Sequence, residues 1–561
     1  MKIPGSRLAY SLSQGFRDLF GKRVVGDLTY SEGAIKTGDN DRFLRYWWEV
    51  TSIAVGPDRQ WRLHPKGGGF RMWSGNVEWV VDWTADARAH YKQDSIARTL
   101  PQRCWDLPGI SWTEVSSGET SFRKLKEEEV ANNTALCLFA KNQDDLHRIL
   151  AYLNTKVARH VLGVVSPTLH YLVGDVQGVP FPAELDRIPS VLTARSKDCV
   201  AIAEADWDAY ERSWHFQSLP ILAASSDLSP TLEFDYTAWI TQNRTTVTEM
   251  KRLEEENNRL FIDAYSLQDE LTPEVPIDQI TLTVNPAYRY GKKLSDNDWS
   301  VEHGFPEDLE TRFREDTMQE LVSYAIGCIM GRYSLDEPGL IYAHSGNQGF
   351  DPNRYRRFPA DKDGILPITD TDWFEDDAAN RVVEFISVAW DKRHLEENLN
   401  FLAVNLSPKR GESSRDTIRR HLADKFFQDH LQTYKKRPIY WCFSSGKQKA
   451  FQCLVYLHRY NDGTLARMRM EYVVPLQSKM AARIDSLADD IEAASSGAQA
   501  KRLQKERDKL AKQLDELRHF DEQLRHYADQ RIALDLDDGV KVNYGKFGNL
   551  LAEVKAVTGT K

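Results

Sequence analysis

Four leucines, Leu503, Leu510, Leu517 and Leu524, stand seven residues apart, with Leu514 filling the intermediate position and charged side chains occupying most of the rest. An odd spacing of seven would throw successive leucines onto opposite faces of a strand, whereas in a helix it keeps them on one stripe. The segment is therefore a long helix with a heptad seam. An upstream arm carries Ile484, Leu487 and Ile491, and Ser495-Ser496-Gly497 separates the two. The pattern predicts a coiled-coil helical hairpin over 479–531 that folds at this break, with one continuous helix as the alternative.

A length of 561 residues exceeds what one core supports, so roughly three or four domains are expected. The chain is 41% hydrophobic and 28% charged, as globular proteins are. No run approaches the roughly 18 apolar residues of a membrane span, so no membrane partner is expected. The opening Met1-Lys2-Ile3-Pro4-Gly5-Ser6 has no apolar signal-peptide core. Six dispersed cysteines show no CxxC pair, which indicates neither a zinc site nor a disulfide framework. These features together predict a cytoplasmic protein.

The net charge of -10 argues against nucleic-acid binding spread over the whole surface, but a groove is set by local charge. From Arg59 to Val77 the chain carries four Lys/Arg and no acid, around the run Lys66-Gly67-Gly68-Gly69-Phe70-Arg71-Met72-Trp73-Ser74-Gly75-Asn76. Consecutive glycines permit positive φ and close approach of the backbone, cations flank them, and Phe70 and Trp73 add flat faces. This chemistry suits a phosphate backbone, which is held by Lys/Arg and main-chain N–H groups. A glycine turn between two strands is the competing reading. A second basic stretch, Leu431 to Asn461, has six Lys/Arg and no acid, with Tyr434, Tyr440, Trp441 and Phe443 interleaved. It fits either backbone contact with stacking or a basic turn on an aromatic core.

Along the chain, residues 1–185 read as mixed α/β, with strand-like runs at Trp47-Trp48-Glu49-Val50 and Trp79-Val80-Val81-Asp82-Trp83 and a helix from Asp144 to Leu153. Residues 186–275 read as helical, Ile280 to Val284 as a strand, and the region to about 475 as helices and aromatic-rich turns. The tail Asp538-Gly539-Val540-Lys541-Val542-Asn543-Tyr544-Gly545 reads as turn and strand followed by a short helix. The fold class is α+β.

Local catalytic signals are weak. Asn285-Pro286-Ala287-Tyr288 approaches the Asn-Pro-Pro-Tyr motif of amino-methyltransferases, but the second proline is missing and no glycine loop for S-adenosylmethionine precedes it, so a strand-ending turn is expected. Ser444-Ser445-Gly446-Lys447 lacks the first glycine and the magnesium-binding hydroxyl of a phosphate loop. Asp535, Asp537 and Asp538 lack calcium-loop spacing and read as an acidic turn. No catalytic, cofactor-binding or metal-binding residue is assigned.

Several blocks in collinear order carry a family resemblance. Gly33-Ala34-Ile35-Lys36-Thr37-Gly38-Asp39-Asn40-Asp41-Arg42-Phe43 resembles the Gly-x-x-Thr-Gly-x-Asn-x-x-Phe element that opens the target-recognition domain of large adenine-specific DNA methyltransferases and related restriction–modification enzymes. Leu153-Asn154-Thr155-Lys156, Ser166-Pro167-Thr168-Leu169 and Val173-Gly174-Asp175-Val176 resemble its closing elements, and the Lys66–Asn76 run belongs between them. Glu211-Arg212-Ser213-Trp214-His215-Phe216 resembles the connector that follows. Tyr434-Lys435-Lys436-Arg437-Pro438-Ile439-Tyr440-Trp441 and Val540 to Gly545 resemble the C-terminal region. The chain is thus similar to the PglX family, the adenine-specific DNA methyltransferases of BREX phage-defence systems.

The resemblance implies a C-terminal half without the N-terminal catalytic domain. Its expected organisation is a lead-in segment (1–24), a target-recognition domain (25–185), a helical connector (186–300), a helical C-terminal domain with the basic aromatic segment (301–478), the hairpin (479–531) and a tail (532–561). It implies double-stranded DNA as partner, other BREX defence proteins, and a catalytic half acting in trans if one is encoded. S-adenosylmethionine belongs to that other half, and the chain alone is expected to be inactive. The DNA-contact candidates are Thr37, Asn40, Lys66, Gly67, Gly68, Gly69, Arg71, Trp73 and Asn76, with Lys435, Lys436 and Arg437 as a second basic contact. Lys66 and Arg71 are expected to touch phosphates rather than bases. A protein-interaction scaffold that does not bind DNA is the alternative.

Overall fold

A computed structural model describes residues 20, 23–116, 118, 120–166, 169–223, 231–295 and 297–559. Most of the expected lead-in (1–19, 21 and 22), and Pro167 and Thr168 of the closing element, lie outside the described residues. The fold mixes helix and sheet, 52% helical and 10% strand, in several small sheets with a helical C-terminal region, as the α+β reading expects. The chain divides into two compact units, one of residues 1–47, 53–216 and 237–313, the other of 48–52, 217–236 and 314–561. The first unit joins most of the expected recognition domain and most of the connector in one body.

In the first unit, strands β1 (Thr29–Tyr30), β2 (Leu44–Tyr46), β3 (Trp61–Leu63), β4 (Trp79–Asp82), β5 (Gly109–Thr113), β6 (Phe122–Leu125) and β7 (Ala135–Ala140) form two antiparallel sheets. Their orders are β1-β7-β5-β6 and β2-β4-β3. One core joins both: Leu44 and Val81 of the small sheet pack with Leu125, Cys137 and Phe139 of the larger, and with Ala87 and Tyr91 of the helix Ala85–Gln93. The helix Leu146–Leu153 ends at Asn154, whose side chain holds β6 by accepting from the Phe122 N–H and donating to the Phe122 carbonyl, each at 3.0 Å. Thr155 then caps the helix Lys156–Val165 by accepting from the Ala158 N–H. The Leu153-Asn154-Thr155-Lys156 element is thus a helix–helix junction pinned to the sheet.

Two expected strands are not strands. Trp47–Glu49 is a single turn of 3-10 helix, while Trp79–Asp82 is a strand as expected. The segment Ile280–Val284 has the alternation of a strand and buries Ile280, Leu282 and Val284, yet pairs with no strand among the described residues. Its N–H groups at Thr283 and Val284 donate instead to the two oxygens of Asp206, at 2.7 and 2.9 Å. A buried carboxylate has replaced the adjacent strand as acceptor. Asn285 follows as the N-cap of the turn Pro286–Arg289 and is fully buried, its amide donating to the Ile277 and Ile280 carbonyls at 2.7 and 2.8 Å. Tyr288 donates to the Phe70 carbonyl. The Asn-Pro-Ala-Tyr run is a structural turn.

The second unit contains the helical hairpin. Helices Val474–Glu492 and Gly497–Asp529 meet at the predicted break, where Ser496 caps the second. Leu487 packs with Leu503 and Leu510, flanked by Ile484 and Ile491. Further along, Leu517 and Leu524 are buried and Phe520 faces Phe451, so the heptad seam leaves the partner helix and continues onto the body of the unit.

A three-stranded antiparallel sheet was not anticipated here: β8 (Ile365–Pro367), β9 (Tyr440–Ser444) and β10 (Gln452–Tyr456), in the order β8-β10-β9. Tyr434, Tyr440, Trp441 and Phe443 are fully buried, so this stretch is an aromatic core and presents no stacking face. The Ser444-Ser445-Gly446-Lys447 turn joins β9 to β10 and does form an anion cradle, but one filled from within. Glu516 accepts from Ser445 Oγ at 2.8 Å and from the Gln448 N–H at 2.7 Å. The tail departs from expectation as well. Gly539–Gly545 is a helix, because Val540, Asn543 and Tyr544 fall at helical spacing and are the residues it buries.

Candidate nucleic-acid interface

The glycine-rich run divides into two parts with opposite roles. Its second part is a bolt through the interior of the first unit. Arg71 is buried and forms an ion pair with the equally buried Asp206 at 2.7 Å. Its guanidinium also donates to the Ser74 carbonyl at 2.9 Å and to Thr283 Oγ1 at 3.0 Å. Asp206 therefore receives Arg71 and two backbone N–H groups at once, and the buried charges are satisfied. Gly75 is required there, since a Cβ at that position would lie 2.4 Å from the Arg71 guanidinium nitrogen. Trp73 is fully buried with φ of +69°, and its indole N–H donates to Glu254 at 2.8 Å. Neither Arg71 nor Trp73 is presented at a surface. Arg71's role as a phosphate contact and Trp73's as a stacking face give way to their buried partners, Asp206 and Glu254.

The first part of the run stays outside. Gly67 and Gly68 adopt positive φ, Gly68 and Gly69 are exposed, and the N–H groups of Gly68 and Gly69 meet no acceptor among the described residues. Asn76, itself at φ +62°, closes this loop by donating to the Gly69 carbonyl at 3.0 Å, and Thr113 donates to that of Gly68 at 3.2 Å. Asn76 thus shapes the glycine loop.

Beside this loop lies a cleft of about 200 Å³ lined by Lys36, Gly38, Asn40, Lys66, Asn132, Asn133 and Thr134, with no carboxylate among them. It forms where the segment between β6 and β7 is threaded between two others. The Asn133 N–H donates to the Ile35 carbonyl at 2.8 Å and that of Asn132 to the Pro65 carbonyl at 3.1 Å. The Lys66 ammonium sits 4.7 Å from the centre of the Trp79 ring. Partial burial lowers its pKa from the ordinary lysine value, opposed by the nearby Asp41. Lys36 and Asn40 are exposed. Thr37 is buried and acts on the cleft indirectly, donating to Asn40 Oδ1 at 2.8 Å and so leaving the Asn40 amide N–H₂ directed elsewhere. The side-chain amide of Asn133 bonds to no described residue.

The floor of the cleft is tied down by a buried hydrogen-bond network. His64 is fully buried, with Nδ1 2.5 Å from the Val130 carbonyl and Nε2 2.8 Å from the Asn132 amide nitrogen. Asn132 Oδ1 in turn accepts from the Thr134 N–H and hydroxyl at 2.9 and 2.8 Å. This arrangement needs a neutral imidazole protonated on Nδ1, and desolvation holds its pKa down at about 3. A depressed imidazole pKa means that the unfolded chain binds more protons between pH 6.5 and 3, so this contribution to stability is lost as pH falls. We expect ¹⁵N shifts of the His64 ring to report a neutral Nδ1–H tautomer at pH 5; an imidazolium there would contradict the network.

The sequence pointed to Asn40, Lys66 and Gly67–Gly69, which meet at or beside this cleft. It did not point to Lys36 or to Asn132, Asn133 and Thr134, whose only local signal is a polar cluster between two apolar runs. In the second unit, Lys435 and Lys436 are exposed and take left-handed φ of +51° and +59°, a conformation costly for residues with a Cβ. Arg437 is drawn inward instead, 3.8 Å from the buried Glu49 and donating to the Val557 carbonyl at 3.3 Å. Among the described residues no group of three or more His, Cys, Asp or Glu could hold a metal ion, and no helix is long and apolar enough to cross a membrane.

No protein-family model matches the chain. The adenine-specific methyltransferase BrxX of Escherichia coli O9:H4 (strain HS) is 41% identical over 574 residues, covering 100% of this chain and 46% of that protein. The adenine-specific methyltransferase PglX of Lacticaseibacillus casei (strain Zhang) is 34% identical over 570 residues, covering 97% of this chain and 44% of that protein. The chain is similar along its whole length to adenine-specific methyltransferases. It spans somewhat under half the length of these two relatives.

Proposed function

We propose that the chain is the DNA-recognition and scaffold portion of an adenine-specific DNA methyltransferase of a BREX phage-defence system. The observation that carries this reading is the cleft of Lys36, Asn40, Lys66 and Asn133 beside an exposed glycine loop, with no acid in its lining. Its parts match the two tasks of a DNA reader. Lysines and free main-chain N–H groups hold phosphates, while primary amides offer the paired donor and acceptor that distinguish adenine in the major groove. The names of the relatives favour an adenine substrate and a methyl-transfer context. Methyl transfer itself is assigned to a partner portion that binds S-adenosylmethionine, since Asn285 and Tyr288 are committed to a buried turn.

Binding of the chain to labelled duplexes over a range of salt concentrations tests the reading. We expect binding at low salt that weakens steeply as salt rises. Asn40→Ala and Asn133→Ala should relax sequence preference, at about 1–3 kcal/mol per base contact, without changing the salt slope. A folded chain that binds no duplex at low salt would sink the proposal in favour of a scaffold that binds proteins alone.

A further inference from the structure

A second basic pocket, of about 420 Å³, opens on the outer face of the helix Ala85–Gln93 and is lined by Ala85, Arg88, Ala89, Lys92, Gln93, Gln102 and Trp105. Its origin is a division of labour around one helix. Ala87 and Tyr91 face the core, while Ala85, Arg88, Ala89 and Lys92, at spacings of three, four and seven, form the opposite stripe. The two alanines leave room that longer side chains would fill. Thr84 fixes the start of the helix by accepting from the Ala87 N–H at 3.2 Å.

Arg88 is held against an aromatic shelf, and both cations of the pocket are left without an ion-pair partner among the described residues. The Arg88 guanidinium lies 5.1 Å from the centre of the Trp105 ring and 5.9 Å from that of Trp83. The two indoles meet edge-to-face at 5.0 Å, and the Trp105 N–H is tied to the Leu100 carbonyl at 3.1 Å. Neither Arg88 nor Lys92 forms an ion pair among the described residues, and Asp86, the one acid on the helix, is not part of the lining. Two unpaired cations thus line one pocket in a chain whose net charge is -10. The side-chain amides of Gln93 and Gln102 add donors with no protein partner among the described residues.

We propose that this pocket is a second phosphodiester grip, in which Arg88 and Lys92 hold the backbone of bound duplex DNA. The inference rests on the DNA-binding reading. An aromatic shelf fixes the arginine before the anion arrives, so less side-chain freedom is lost on binding than at a mobile lysine.

The test is the salt dependence of duplex binding by the full chain, measured by fluorescence anisotropy. Arg88→Ala/Lys92→Ala is expected to weaken binding to all sequences alike and to reduce the slope of log K against log[salt] by about two. Lys92→Gln, an exposed change that leaves the tryptophan shelf intact, should reduce it by about one and guards against a folding defect in the double variant. If the wild type binds duplex and loses affinity on Lys66→Gln, while both pocket variants keep the wild-type slope, the second grip is wrong and the first site stands. If the wild type binds no duplex, both fall together. If deoxyadenosine monophosphate quenches tryptophan emission in the wild type but not in Trp105→Phe, at concentrations where duplex does not, the pocket takes a free nucleotide and the backbone assignment is overturned.

Discussion

Replacing Arg71 with alanine should cost about 3–5 kcal/mol of stability, as breaking one side of a buried ion pair does. Asp206 would keep its two backbone donors, from Thr283 and Val284, but would lose the charge that offsets its own. The Ser74 carbonyl and Thr283 hydroxyl would each lose a donor as well. Urea unfolding of the variant, followed by tryptophan emission, measures the loss. A change below about 0.5 kcal/mol, the range of an ordinary surface substitution, would contradict the buried role. Any DNA-binding defect in this variant should scale with the unfolded fraction.

Trp73 gives the second large effect, with a pH signature. Trp73→Ala should cost about 3–5 kcal/mol by emptying a fully buried site. Trp73→Phe keeps most of the volume but removes the donor to Glu254. Desolvation raises the Glu254 pKa to about 7, and the Trp73 hydrogen bond partly opposes it. Because this folded-state pKa lies above the ordinary carboxyl value of 4.5, the native state binds more protons between pH 4.5 and 7. Its contribution to stability therefore falls as pH rises through that window. Without the indole donor the ionised form is less tolerated, so Trp73→Phe should be more destabilising at pH 8 than at pH 5. Equal losses at both pH values would show that the hydrogen bond does not favour the carboxylate.

These two residues show where local sequence stops being informative. Lys66, Arg71 and Trp73 sit in one basic, glycine-rich run and read alike, yet only Lys66 stays near solvent. What separates them is Asp206 and Glu254, more than a hundred residues further along the chain, whose pairing no local pattern reveals. The same limit hid the cleft, since Lys36 and Asn133 meet through backbone pairing of segments that lie about a hundred residues apart.

Ile280–Val284 carried a genuine strand pattern, and its acceptor turned out to be a carboxylate. The strand Tyr440–Ser444 was missed because burial on both faces erases alternation and leaves a continuous apolar run. Features set by local periodicity and capping were legible. The hairpin folds at Ser495-Ser496, and Asn285 caps a turn, as their residues required.

On the proposed function, the Lys36–Lys66 cleft holds DNA. The most direct measurement is the salt slope of duplex binding for the wild type and for Lys36→Gln/Lys66→Gln, with urea unfolding as the control for intact folding. The double variant is expected to show a slope reduced by about two, weaker binding to every sequence, and unchanged stability. A double variant that binds duplex with the wild-type affinity and slope would contradict it.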